Sequence, residues 1–247
     1  MGRGLANDVN GAYPRNDGSI GQLPMKEGKP QYNVYNTDAA WGAQWNLSQL
    51  WTLAYPEYMS EYVSSHIQAY KDAGWLADGL ANNRYVSGVG TNLLSTIIAG
   101  AYQCGIRDFD TKLAYEACLK NELDGKDRPF GAGKVNTAEF VKYGYVPHQD
   151  QGEGYHETFM FSASHTLEYS YSAWAVAQWA KSLGDTENYD KLMNLSKGWE
   201  RLYDTSCNLS VRRRRTESLL TTLTRWKYGV VFRKEMPGNI RSMYRMM

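Results

Sequence analysis

The sequence predicts an all-α fold, on three observations. From about Asp38 onward, apolar residues recur at helical spacing; Gly, Pro and capping residues punctuate the ends of those runs; and no stretch alternates apolar and polar residues convincingly. Charge and pattern divide the chain into an irregular segment over 1–37, a helical body over 38–210 and a basic tail over 211–247.

In the leading segment Gly and Pro are frequent, and Asn-Gly at Asn10 and Asp-Gly at Asp17 signal turns. The first predicted helix runs from Trp41 to Leu53 and is stopped by Pro56. That proline takes the first position of the second helix, with Glu57 in its first turn and Gly74 as the stop. Val89 to Cys104 is the third, with Leu93, Leu94, Ile97, Ile98 and Ala101 inward. Asp108 or Asp110 caps a fourth helix reaching about Asn121, and Asn136 with Glu139 resembles a capping box on a short fifth. The sixth lies within Phe159–Gly184 and the seventh spans Glu187 to Tyr203. The longer loops, 74–88, 122–135 and 144–158, are rich in Gly, aromatics and acids, which predicts one functional face.

The composition narrows the function classes. Apolar runs are too short to cross a membrane, and no basic segment followed by an apolar run marks a signal peptide. Cys104, Cys118 and Cys207 are too few and scattered for a disulfide framework or zinc cluster, so each is expected to be a small buried hydrophobe. The chain has 19 Tyr and 8 Trp against 6 Phe, an excess of amphipathic rings that suits a sugar cleft. A nucleic-acid surface would need a basic face, and the net charge of +1 argues against one. That average conceals a break: from Val211 to Met247 there are 10 Lys and Arg against 2 acids, so the body is acidic and the tail basic.

One carboxylate stands out. Phe159–Gly184, FMFSASHTLEYSYSAWAVAQWAKSLG, is an apolar and aromatic helix pattern with Glu168 beside the stripe Leu167, Tyr171, Trp174, Val176 and Ala177, which should face the core. A carboxylate held among aromatics loses hydration, which raises its pKa and suits it to donate a proton near neutrality. The plain structural alternative is a half-exposed boundary glutamate.

Several segments, in order, resemble the catalytic domain of glycoside hydrolase family 92: DVNGAY (Asp8–Tyr13), the helix pair Trp41–Gly74, YVSGVGTNLLSTIIAGAYQCGIRDFD, GYVP and TLEYSYSAWAVAQWAKSLGD. The resemblance covers roughly residues 4–211 and is most specific at TLEY with the Trp and Ala-Gln that follow. It implies a calcium-dependent, inverting, exo-acting α-mannosidase, usually exported, whose catalytic domain is an (α/α)6 toroid behind a β-sandwich. This chain corresponds to about the first half of that toroid. Glu168 falls on the glutamate of TLEY, which implies the general acid, with a second carboxylate activating water from the opposite side. The paired acids that supply the base lie beyond residue 247, so the chain alone is expected to be inactive. The family's WDTxR reads WGAQW here (Trp41–Trp45), the histidine usual after the family glycine matches Gly90, and the aspartate near the end of that helix matches Gly100. These departures bear on sugar specificity, and the calcium ligands are not identifiable in this stretch.

The tail follows its own logic. Read one base earlier, allowed codons for Lys227–Met247 yield EVWRGFQEGNAWQY and then TFYVPHD, similar to the family's continuation, so the tail is expected to be out of frame and poorly packed. A nucleic-acid or anionic-membrane tail built on Arg212–Arg215 is the alternative.

Trp41, Trp75, Tyr145 and Tyr155 are the candidate sugar-stacking rings, and Asp38 could replace the lost aspartate nearby. GAGK (Gly131–Lys134) fails as a phosphate loop, because Arg128 occupies the first glycine position and Val135 replaces Ser or Thr. His66 reads as a surface or boundary residue. His148, His156 and His165, with Asp150, Glu153 and Glu157, match no standard metal spacing and suit the lining of a sugar cleft better. Two other functions fit the same residues: a non-catalytic carbohydrate-binding or scaffold protein, and another helical-toroid glycosidase or lyase.

Overall fold

The computed structural model describes residues 4–36, 40–86, 89–148, 161–205 and 209–214. The helical body begins with α1 (Ala40–Gly42), which continues through a π-helical segment, Ala43–Leu47, into α2 (Ser48–Ala54). Pro56 opens α3 (Pro56–Ala73), where its missing N–H costs nothing, and Gly74 ends it. Then come α4 (Leu93–Gln103), α5 (Thr111–Leu123), α6 (Thr137–Tyr143), α7 (Ser162–Leu183) and α8 (Thr186–Ser196), which runs into a 3-10 turn, Lys197–Leu202. The oxygens of Asp110 and Asp185 accept the Leu113 and Asn188 amides at the starts of α5 and α8. Consecutive helices pack in pairs, α2 with α3, α4 with α5 and α7 with α8, and α4 lies against α7, α1 and the π segment. One core joins them, built on Met59, Val63, Leu94, Ile98, Val176 and Trp179. Trp179 stacks on Tyr102 with 4.6 Å between ring centroids.

Several expectations need correction. Val89–Asn92 precede α4 rather than form its first turn, because the amides of Val89, Gly90 and Thr91 bond Asp78 instead of continuing a helix. Asn136 sits at the start of α6 with φ +57° and makes no side-chain cap, so the capping box is not formed. Tyr171 and Trp174 are 45% and 47% exposed; the inward face of α7 is instead Tyr169, Ala173, Val176, Ala177 and Ala180. Small residues there admit α4 and α8 to close approach, so the buried stripe is offset from the one that ring size suggests. His66 is buried, and Cys104 is exposed while Cys118 is buried.

Strands are present, in four antiparallel hairpins: β1 (Ala12–Pro14) with β2 (Ile20–Gln22), β3 (Met25–Lys26) with β4 (Lys29–Pro30), β5 (Gly79–Ala81) with β6 (Arg84–Val86), and β7 (Tyr203–Asp204) with β8 (Leu209–Ser210). At two or three residues each they are too short to show alternation. Asp17-Gly18 does lie in the first turn, as its sequence signals. Glu27-Gly28 and Asn82-Asn83 turn the second and third, all four residues at positive φ as a two-residue type I′ turn requires. The leading segment is therefore not irregular: Tyr13, Leu23 and Val34 form a small core of their own, and Tyr13 and Tyr32 tie it to α3 through Asp72 and Gln68. At the other end, Val211–Arg214 pack onto the body past the boundary drawn at 210. The Val211 amide bonds the Leu202 carbonyl, and the His148 amide bonds that of Arg213. Residues 215–247, the rest of the basic tail, lie outside the described residues.

Candidate active site

Glu168 sits in the second turn of α7, half-buried. Its helix neighbour Tyr169 is fully buried, and its hydroxyl lies 2.6 Å from the carbonyls of both Gly90 and Val135, its one proton shared between them. One turn earlier the His165 ring stacks on Tyr169 at 5.3 Å, and its Nε2 lies 3.0 Å from the Val89 carbonyl, so that nitrogen carries the proton. The rim 89–91 is held from the other side by Asp78, whose carboxylate accepts the amides of Val89, Gly90 and Thr91. Val135 and Lys134 complete the lattice with their amides on the Gly90 and Thr91 carbonyls. The loop after β6 and the start of α6 are thus fixed to the turn of α7 that carries Glu168. Burial first, and the negative charge of Asp78 second, hold the Tyr169 phenol well above its ordinary pKa, so it stays a donor.

Gly90 explains one departure from the family pattern. Its φ is +71°, and a Cβ there would lie 2.7 Å from Val135 Cγ2 and 3.6 Å from His165 Nε2. A histidine at this position would need both a left-handed backbone and a displaced Val135.

Behind the rim lies a buried ion pair. Lys134 Nζ bonds the Glu122 carboxylate with both side chains fully buried, and the ammonium lies over the Phe140 and Tyr169 rings at 4.7 and 5.4 Å. Desolvation pulls the Lys134 pKa down, and the facing Glu122 charge opposes it. Asn92 donates to the same carboxylate. The lysine of GAGK therefore anchors a loop, consistent with its failure as a phosphate binder. Sequence reasoning missed this pair and the Asp78 nest; the one available signal was a Gly-rich turn, SGVG, following an acid.

The candidate rings are spread widely. Trp41 packs edge-on against Trp45 at 5.2 Å, and from the same helical run Gln44 Nε2 reaches the Tyr171 hydroxyl at 3.0 Å, one turn beyond Glu168. Trp75 is 6% exposed, with Lys120 Nζ and the Arg128 guanidinium 4.3 and 4.4 Å from its ring centre. Burial pushes the Arg128 pKa down to about 10. Tyr145 is 1% exposed and donates to the Arg214 carbonyl at 2.8 Å. A sugar would have to displace these contacts to stack on either of the last two rings. Tyr155, Asp38, His156, Asp150, Glu153 and Glu157 lie outside the described residues. His148 and His165 are both buried.

A sequence model described as the glycosyl hydrolase family 92 catalytic domain matches residues 1–238. A curated relative from Arthroderma benhamiae, described as an uncharacterized secreted glycosidase, is 31% identical over 159 residues, covering 62% of this chain and 20% of the relative. Among solved structures, a family GH92 alpha-mannosidase from Bacteroides thetaiotaomicron in complex with mannoimidazole superposes with a TM-score of 0.73 at 20% identity, over 96% of this chain and 28% of that one. A GH92 inverting mannosidase from the same organism gives 0.71 at 21% identity, over 88% and 28%. The chain therefore spans about a quarter of the length of the proteins it matches. The secreted description belongs to the fungal relative; in this chain no helix among the described residues is long and apolar enough to cross a membrane.

Proposed function

Because the chain belongs to the glycosyl hydrolase family 92 catalytic-domain family, we propose that it is part of an enzyme that hydrolyses α-linked mannosides with inversion, with Glu168 as general acid. The supporting observation is the placement of Glu168 on a turn of α7 that is bonded through Tyr169 and His165 to a fixed rim. A proton donor needs such a mounting, since the leaving oxygen must be met at hydrogen-bond distance. In this reading Glu168 protonates the departing glycosidic oxygen while a second carboxylate, about 6.5–9.5 Å away across the sugar, activates water. Asp78 and Glu122 share the surroundings of Tyr169, but both are committed: Asp78 to backbone amides, Glu122 to Lys134 and Asn92. Neither is available as the base. The helix pairs are read as about half of an (α/α)6 toroid, and the chain alone as inactive, because the base belongs to the other half. Export of the longer enzyme is part of the same proposal, in line with the secreted fungal relative.

Family membership implies calcium. Among the described residues no three His, Cys, Asp or Glu side chains gather as a metal site, and the most enclosed acids are already spent on amides and Lys134. The described residues do not fit the ion, and no step is routed through it.

Calorimetric titration with mannoimidazole tests the role of Glu168. The chain is expected to bind it, and Glu168→Gln to weaken binding about tenfold, or about 1.4 kcal/mol. Equal affinity in the two proteins would remove Glu168 from the site.

A further inference from the structure

The leading segment closes on itself. Its ends meet where the Ala6 amide bonds the Val34 carbonyl and Leu5 bridges Tyr35, with hairpins β1–β2 and β3–β4 between them. Its core of Tyr13, Leu23 and Val34 is separate from the one that joins the helices. The seam between the two bodies is a row of hydrogen bonds on one stripe of α3, made by Glu61, Ser65, Gln68 and Asp72 at helical spacing. Glu61 accepts the Asn33 amide at 2.7 Å, and the Asn33 side chain and Tyr35 hydroxyl at 2.5 Å each. Ser65 Oγ accepts the Tyr35 amide at 3.0 Å. Gln68 accepts the Tyr32 hydroxyl at 2.7 Å and donates to the Tyr13 oxygen at 2.8 Å. Asp72 accepts the Tyr13 hydroxyl at 2.7 Å and lies 3.4 Å from Arg15 Nε. Across the same seam the Tyr35 ring meets Tyr58 edge-on at 5.3 Å. The segment also grips the β5–β6 hairpin. The Pro14 carbonyl accepts the Asn83 side chain at 2.8 Å, and Asn16 Oδ1 accepts the Tyr85 amide at 2.9 Å. That hairpin lies in the chain between Asp78 and the 89–91 rim that Asp78 holds.

We propose that residues 4–36 act as a latch: the segment lifts off the α3 stripe as one body, and its departure lets go of the β5–β6 hairpin. Two features favour lifting over unfolding with the rest. A segment with its own closed base and its own core keeps its internal contacts when it leaves. The bonds of the seam are exchanged for bonds to water, so opening it exposes less apolar surface than opening the helical core. Glu61 and Asp72 are the two catches. Each carboxylate holds two residues of the segment, Asn33 and Tyr35 in one case and Tyr13 and Arg15 in the other. Bonds to a charged acceptor are stronger than the neutral bonds that Ser65 and Gln68 make beside them. The Tyr85 amide shows why the movement reaches the hairpin. It bonds the Asn16 side chain, so its protection requires the segment to be in place. The inference does not depend on the glycosidase reading.

Amide hydrogen exchange in the full 247-residue chain, read residue by residue by NMR, tests it. The reporters are the amides of Asn33, Tyr35 and Tyr85, which bond Glu61, Ser65 and Asn16. In the unsubstituted chain all three should show one common protection factor, well below that of Ile98 in α4 and Val176 in α7. Glu61→Gln and Asp72→Asn keep the side-chain shape and remove the charge. Each should speed exchange at all three reporters about tenfold, as expected for weakening a bond to a charged group, and leave Ile98 and Val176 unchanged. Tyr85 decides the matter, because its amide bonds neither substituted residue. Acceleration at all three reporters in both variants supports the latch. Acceleration confined to the amide beside each substitution, equal acceleration in α4 and α7, or no acceleration in either variant would overturn it. So would reporters as protected in the unsubstituted chain as the helical core.

Discussion

Lys134 and His66 are buried against their side-chain chemistry. Lys134 is held by Glu122 and by the Phe140 and Tyr169 faces, so its truncation leaves a buried carboxylate without its ion-pair partner, with the Asn92 amide and the more distant Arg128 charge remaining. Lys134→Ala is expected to cost about 3–5 kcal/mol, read as a shift in the urea midpoint; a loss below ~1 kcal/mol would mean that the pair is not desolvated as described. His66 lies mid-helix with neither ring nitrogen hydrogen-bonded and with Tyr62 edge-on at 4.7 Å. Burial pushes its pKa down to about 3 from the ordinary 6.5. The unfolded chain therefore binds a proton that the folded chain refuses between those values. Stability contributed by the neutral ring is whole above about pH 6.5 and is lost as pH falls toward 3, at about 1.4 kcal/mol per unit. His66→Leu should flatten that slope in urea melts at pH 6.5, 5.5 and 4.5, and an unchanged slope would contradict the burial. Neither residue was legible in the sequence, because a lysine after Gly-Ala-Gly and a histidine in a helix are both ordinary on a surface. Only tertiary packing makes them exceptional.

At the scale of elements, what could be read was set by length. α3 was legible end to end, since Pro56, eighteen residues of helical pattern and Gly74 all point the same way. The four hairpins were not, because strands of two or three residues carry no period; Glu27-Gly28 was the usable turn signal that went unread. In α7 the existence and bounds of the helix were legible and its inward face was not. Ring size drew attention to Tyr171 and Trp174, whereas close approach of α4 and α8 selects alanine and serine. The mounting of Glu168 belongs to this scale, for it joins α7 to the 89–91 rim and to the start of α6 through one phenol. Tyr169→Phe removes the bonds to the Gly90 and Val135 carbonyls while keeping the ring over Lys134. It should cost about 1–3 kcal/mol and speed amide exchange at Gly90 and Val135 more than in α8. Uniform acceleration across the helices would instead mark Tyr169 as general core.

At the scale of the molecule, the family and the helical architecture were legible from a few segments, above all TLEY and the helix that follows. Glu168 was singled out from the same stretch as a carboxylate set beside an apolar and aromatic stripe. The partner carboxylate was not legible, and the structure gives a physical reason why Asp78 and Glu122 do not supply it, since each is held by donors that would have to be broken before it could accept a proton from water. An inverting hydrolase needs both carboxylates at once, so half of the pair gives no turnover. The most direct test is release of nitrophenol from an aryl α-mannoside by the purified chain with calcium present, alongside Glu168→Gln. The account predicts no release above the uncatalysed rate from either protein. Turnover by the unsubstituted chain that disappears in Glu168→Gln would contradict it, and would mean that this stretch carries both carboxylates.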